Sequence, residues 1–342
     1  MSFYNGNKLL SIKDQNGKDP ELFFCCGNRT AGKTFFFKRY MLRRFVNHGE
    51  KFIVFVRFID DIANCVNGFF ADIGPIAFPG HTMTQASILH GKAAQLYFDN
   101  KPCGYVIALN DPERIKRNSA LFADAERGFL DEFQSEIGKY VGDEMLKFNS
   151  IRISIARGGA KGTHTRYFPV YLCSNNVTVF NPYFDYYRIG RRLTNRVKFL
   201  RGDGWVLEQT FNIEASEAIK DKFGSMSERE LKYAASNEYL LDNNKFVEKL
   251  PGQKRPVFHV DYNGKTYCLW VAGQVFYMSE KLSDGCLLNL SFNINDHDTG
   301  NTLTAQSSPL VKQLRNAYMN NSVRFQNQEC KHVFLDCMTL IK

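Results

Sequence analysis

The chain has 342 residues, 44% hydrophobic and 23% charged, with a formal net charge of +9. That length suffices for a full core and for two domains, and no apolar run approaches a membrane span. Nine scattered cysteines, with no C-x-x-C pair and no Cys/His metal spacing, argue against a disulfide framework or a zinc site and for reduced, buried side chains in an intracellular protein.

The N-terminus MSFYNGNKLL lacks the apolar core of a signal peptide, so a soluble, cytosolic chain is expected. Residues 21–49, ELFFCCGNRTAGKTFFFKRYMLRRFVNHG, read as a short apolar strand, a glycine loop and a basic amphipathic helix closed by Gly49. Within them Gly27, Asn28, Arg29, Thr30, Ala31, Gly32, Lys33 and Thr34 match G-x-x-x-x-G-K-[ST] in the strand-then-helix context that the motif needs. The glycines let successive backbone N–H groups curl inward around an anion, and the helix N-terminus adds partial positive charge. Lys33 is placed to reach the outer phosphates of ATP and Thr34 to ligate Mg²⁺, although the motif alone does not separate ATP from GTP.

KFIVFVRF (51–58) has the continuous apolar character of a buried parallel strand, and Arg57 at its carboxyl end is expected to face the ligand crevice. Residues 91–108 give two extended runs around Asp99, Asn100, Lys101 and Pro102, a hairpin expected to decorate the main sheet. A charged, partly helical approach then leads to Asp131 and Glu132. Consecutive acids at a strand end supply a carboxylate for the metal shell and a group that orients the attacking water. Asp60–Asp61 and Asp111 are rivals for that role, but the first pair lacks a glutamate and the second is a lone carboxylate before Pro112.

Between Met145 and Gly202 stand eleven basic residues and one acid, Asp185. The tract contains the glycine-rich segment ARGGAKGTHTR (156–166), whose cations suit phosphates of nucleotide or nucleic acid. A strand, YFPVYLCSN, follows, and at its end Asn175 can sense a γ-phosphate. Residues 1–210 carry 29 Lys and Arg against 20 Asp and Glu, so the basic surplus lies with the phosphate loop and points to a polyanionic partner. Residues 211–245 turn slightly acidic and carry a capping signature from Ser227 to Glu230, which reads as a helical linker. Three strands at 256–262, 265–272 and 274–279 suggest an antiparallel meander, followed by helices near 308–320 and 325–339. The expected fold is therefore α/β, a P-loop NTPase domain at 1–210, a helical linker at 211–245 and a small α+β domain at 246–342.

GNRTAGKT (27–34), FVRF (55–58), LDEF (130–133), CSNNVTVFNPYF (173–184) and VRFQNQ (323–328) together resemble the DNA-packaging ATPases of small protein-primed podoviruses, the Salasmaviridae and their relatives. The resemblance implies an ASCE-type P-loop domain and a C-terminal domain of ribonuclease-H-like fold that has lost nuclease function. It implies a homo-oligomeric ring, a pentamer, on the portal of an empty prohead in the host cytoplasm, with a packaging RNA in many members. The ring drives double-stranded genomic DNA inward and is not expected in the mature virion. By matching position, Lys33 and Thr34 bind phosphates and Mg²⁺, Asp131 holds the metal shell, Glu132 polarises water and Arg57 is the family's second-strand arginine. An arginine finger from the neighbouring subunit is expected just before the SNN strand. Arg157 is its first candidate, with Arg166 and Lys161 as competitors, and Lys116 or Arg117 is a further cation acting across the boundary. Only Asp261 lies on the C-terminal strands, with Glu280 and Asp284 beyond them, too few acids for a two-metal nuclease. The alternatives are a helicase- or terminase-type translocase on other nucleic acid and a nucleotide-dependent scaffold binding RNA or prohead with slow hydrolysis.

Overall fold

The computed structural model describes residues 4–157, 165–190, 192–193, 197–223, 225, 228–235, 239, 242 and 245–338. The chain divides into two compact units, Met1–Leu241 and Asp242–Lys342. The first unit is built on strands β1 (Leu22–Gly27), β2 (Lys51–Val56), β3 (Met83–Ile88), β4 (Ala93–Phe98), β5 (Lys101–Ala108), β6 (Ala125–Leu130), β7 (Val170–Asn175), β8 (Phe199–Gly202) and β9 (Trp205–Thr210). Their order in the sheet is β3-β4-β5-β2-β6-β7-β1-β9-β8. The central strands β5, β2, β6, β7, β1 and β9 are mutually parallel, and β3, β4 and β8 extend the edges antiparallel. Strand β7 is inserted between β1, which feeds the phosphate loop, and β6, which leads to Asp131. That insertion is the ASCE-type arrangement expected from the resemblance.

Both faces of the sheet are covered, which is why its central strands read as unbroken apolar runs. On β1, Phe23 and Cys25 join one core with Phe36, Phe37, Met41 and Leu42 of the helix Lys33–His48. Phe24 and Cys26 join the opposite core with Phe148, Ile151 and Ile155 of the helix Glu144–Arg157. A fully buried phenylalanine such as Phe37 stabilises the fold by about 1.5–3 kcal/mol. The helix Lys33–His48 stops at Gly49, whose φ of 72° only glycine adopts without strain and whose N–H donates to the Phe45 carbonyl at 2.8 Å.

The hairpin around residues 91–108 forms, but its second strand is no decoration: β5 pairs with β2 as a full member of the parallel sheet. The polarity of β6 has a physical cause. Arg127 is buried, ion-paired to Glu50 and hydrogen-bonded to the Tyr40 hydroxyl at 3.1 Å, while Gly128 leaves room for the ring of Phe55, 2.5 Å from where a Cβ would stand. After β9 the helices Ile213–Lys222 and Glu228–Ala235 pack together. They belong to the first compact unit; Ser227 of the capping signature lies outside the described residues.

The second unit contains β10 (Arg255–Tyr262), β11 (Lys265–Ala272), β12 (Val275–Ser279), β13 (Asn289–Ser291), β14 (Thr302–Leu303) and β15 (Val323–Phe325). The sheet order is β14-β13-β10-β11-β12-β15. The meander β10–β12 is antiparallel as expected, and β13 and β14 add parallel strands beyond β10, as in a ribonuclease-H-like sheet. Helices Pro309–Met319 and Gln328–Cys337 cover one face through Val311, Leu314, Val333 and Phe334. The expected helix at 325–339 starts late, because Val323–Phe325 pairs with β12 as a strand and Asn327 caps the helix by accepting from the Cys330 N–H at 2.9 Å.

Candidate active site

The phosphate loop leaves β1 at Gly27, where a side chain cannot exist: a Cβ would stand 2.1 Å from the Thr210 carbonyl oxygen. Thr30 (φ 58°) and Gly32 (φ 91°) take left-handed conformations that curl the loop before the helix begins at Lys33. Lys33 is buried, and its ammonium group donates to the loop's own Asn28 carbonyl at 2.7 Å and Gly27 carbonyl at 3.3 Å. The Asn28 side chain faces away from the loop's hollow: it exchanges two hydrogen bonds of 3.0 Å with the backbone of Asn212. Asn212 in turn caps the helix Ile213–Lys222. Arg29 donates its backbone N–H to Ala234 of the next helix and ion-pairs through its side chain with Glu136.

The acidic motif stands beside this loop at the carboxyl ends of the parallel strands, where ligands of α/β sheets bind. The Thr34 hydroxyl donates to the Asp131 carboxylate at 3.0 Å. Burial pushes the Asp131 carboxyl up from its ordinary value, against the pull of Lys38, Thr34 and Lys33. Glu132 is solvent-accessible although protein crowds it on most sides. That crowding, with the charges of Asp131 and Glu136, pushes its carboxyl up to about 7. It also has a φ of 52°, a left-handed backbone that costs a non-glycine residue about 1–2 kcal/mol. A cavity of about 510 Å³ opens beside the pair, lined among others by Lys38, Phe55, Arg57, Asp61 and Lys139.

Arg57 holds that strained turn. Its guanidinium donates to the carbonyls of Glu132 (2.7 Å) and Phe133, lies 4.9 Å over the Tyr140 ring, and pairs through Nε with the Glu144 carboxylate at 3.1 Å. Arg57 lines the cavity, and its donors serve the protein backbone and Glu144. Glu144 was not legible as a site residue. Its side chain is fully buried and also accepts from the Tyr183 hydroxyl at 2.7 Å and the Val141 N–H at 2.8 Å. Gln134 is a second unanticipated residue: it is buried, and its amide oxygen accepts from the N–H groups of Val177 and Thr178, both at 3.0 Å. It thereby ties the acidic motif to the segment after β7. Asn175 ends β7 directly opposite Gly27 in the β1–β7 register.

Two of the rival carboxylates, Asp61 and Asp111, have local employment. Asp61 accepts from the Phe58 N–H and Asp111 pairs with Arg114 at 2.8 Å. Of the expected cations, Lys116 pairs with Glu113 at 2.7 Å, and Arg117 is exposed at the end of its helix. Arg157 is exposed at the last position of the helix that begins at Glu144. Fourteen residues at 1.5 Å each separate the helix ends by about 20 Å, and Arg152 near its far end pairs with Glu21, just before β1. Arg157 therefore stands at the amino-terminal edge of the sheet, away from the loop of its own chain. Arg166 is half-buried, 3.8 Å from Glu126 and 5.5 Å over the Phe168 ring. Lys161 lies outside the described residues.

A family profile described as podovirus DNA encapsidation protein (Gp16) matches residues 1–340. The chain is 25% identical over 340 residues to a DNA packaging protein of Bacillus phage PZA and, equally, to one of Bacillus phage phi29, covering 97% of this chain and 95% of each relative. Its fold is similar to a chain in a structure of the bacteriophage phi29 viral genome packaging motor assembly, with a TM-score of 0.70, 23% identity and 99% of both chains covered. The chain belongs to the podovirus DNA encapsidation protein (Gp16) family.

Proposed function

We propose that the chain is the ATP-hydrolysing subunit of a phage motor that moves double-stranded genomic DNA through the portal into a prohead in the host cell. Family membership supports the DNA-packaging role, and the likeness to a chain of the phi29 motor assembly accords with a ring on the portal. The observation that carries the chemistry is the meeting of the Thr34 hydroxyl and Asp131 carboxylate, 3.0 Å apart, between a buried lysine and Glu132. A hydroxyl and a single carboxylate are hard oxygen donors and fit Mg²⁺, which keeps several waters and takes the rest of its shell from phosphates. When bound, the ion neutralises charge on the transferring phosphoryl group. The inward-curled loop backbone and Lys33 bind the phosphates, Lys33 exchanging the Asn28 and Gly27 carbonyls for phosphate oxygens. Glu132 accepts a proton from the attacking water and orients it, and the Arg57 clamp keeps that carboxylate in place.

The trans finger is Arg157, because it is exposed at the sheet edge remote from its own loop, whereas Arg166 is half-buried against Phe168, 3.8 Å from Glu126. Asn175, opposite Gly27, is placed to read the outer phosphate. The helices at 213–222 and 228–235 act as the linker. Asn28 and Arg29 of the loop bond directly to their ends, so a change at the phosphates reaches them through two contacts. The ring is a pentamer with a packaging RNA, and it leaves the completed virion. The second unit is a binding module: Asp261 is occupied by Thr266 and Asn301, and Lys265 neutralises Glu280 and Glu329.

The test is ATP turnover and nuclease-protected DNA with proheads, wild type against Lys33→Ala. Both activities are expected to disappear in a variant that still folds; near-normal turnover in Lys33→Ala would remove the site assignment.

A further inference from the structure

The second unit assembles three metal-ligating side chains that are far apart in sequence. His259 on β10 and Cys268 on β11 are directly opposite each other, and His259 is likewise opposite Asn289 on β13. Alternation along the strands puts these residues on the sheet face opposite the one that Phe258, Val260, Tyr267 and Leu269 turn to the helices. The segment between β12 and β13 then brings Cys286 over that face, with its sulfur 3.5 Å from that of Cys268. One ring nitrogen of His259 and the two sulfurs all lie within 4.8 Å of one another.

We propose that His259, Cys268 and Cys286 form a site for a thiophilic divalent cation of the Zn²⁺ class. The spacing suits coordination. Zinc–sulfur bonds of about 2.3 Å at a tetrahedral angle hold two thiolates about 3.8 Å apart, whereas a disulfide needs about 2.0 Å. The second shell is also in place. His259 Nδ1 lies 3.0 Å from Asn289 Oδ1, and donation to that amide oxygen leaves the lone pair on Nε2, which accepts from the Ser283 N–H at 3.5 Å and would exchange that long hydrogen bond for the ion. Binding releases the two thiol protons to solvent, and the fourth position falls to water because His259 and Cys286 are only half-buried. The bound ion would pin the segment that carries the fully exposed Leu287 to the sheet.

Titration of the full, reduced chain with Co²⁺ under anaerobic conditions tests the proposal. One equivalent is expected to bring sulfur-to-cobalt charge-transfer absorption in the near ultraviolet, which Zn²⁺ then displaces. Cys286→Ser, on a half-buried loop position, is expected to abolish the band with the circular dichroism spectrum unchanged. Asn289→Ala is expected to weaken binding about 10–100-fold. The site is refuted by a folded, reduced chain that gives no band, by a band that survives both Cys286→Ser and His259→Ala, or by a Cys268–Cys286 disulfide with no metal uptake.

Discussion

Replacing Glu144 by Gln removes one charge and almost no volume, yet it strikes the support of the catalytic turn. All three partners of this carboxylate are donors: Arg57 Nε, the Tyr183 hydroxyl and the Val141 N–H. An amide offers one acceptor and one NH₂, so the Tyr183 hydroxyl must turn round to accept from it, and in either orientation the guanidinium of Arg57, with its side chain 11% exposed, loses its counter-charge. Breaking a buried pair from one side costs about 3–5 kcal/mol, which for a unit of this size lowers Tm by about 6–20 °C. Arg57 also holds the carbonyls of Glu132 and Phe133, so the water-orienting carboxylate shifts with it, and a displacement near 1 Å costs about 100-fold in rate. Lys33 and Thr34 are untouched, so nucleotide affinity should persist. Thermal melts followed by steady-state ATP turnover give the answer. A Glu144→Gln variant that melts within about 2 °C of wild type and retains its kcat would refute the clamp.

Glu132→Gln should keep nucleotide binding while kcat falls by about 100-fold or more; equal loss of binding would assign Glu132 another role. Because the Glu132 carboxyl is pushed up to about 7, its ionised, proton-accepting form grows as pH rises through that value. Wild-type turnover should therefore climb from pH 6 to 8, and the residual turnover of Glu132→Gln should lack that rise. Arg157→Ala should silence a homogeneous ring and should be rescued in mixed rings only where the adjoining subunit keeps its arginine; full activity in the homogeneous ring would move the finger to Arg166 or Lys161.

What could be read from the sequence was what is local. The strand, loop and helix of residues 21–49 are contiguous, so periodicity and glycine spacing report them directly. The polarity of β6 has no local explanation, because the partner that makes Arg127 tolerable, Glu50, lies 77 residues away. The aim of Arg57 was hidden for the same reason: position on the strand brings it to the crevice, but Glu144, 87 residues on, helps decide where its donors go. Glu144 itself carries no motif and looks like an ordinary acid in a helix's first turn. The short strands β13–β15 have three, two and three residues, too few to establish a period of two. The His259–Cys268 pairing follows from meander register and Cys286 is added by the segment after β12, neither of which a Cys/His spacing rule encodes.

The claim that this chain is an ATP-driven packaging motor is tested most directly by ATP turnover of the purified chain with proheads, comparing double-stranded with single-stranded DNA. The account predicts turnover that rises only when double-stranded DNA and proheads are both present and that Lys33→Ala abolishes. Equal stimulation by single strands without proheads, or turnover indifferent to any nucleic acid, would contradict it.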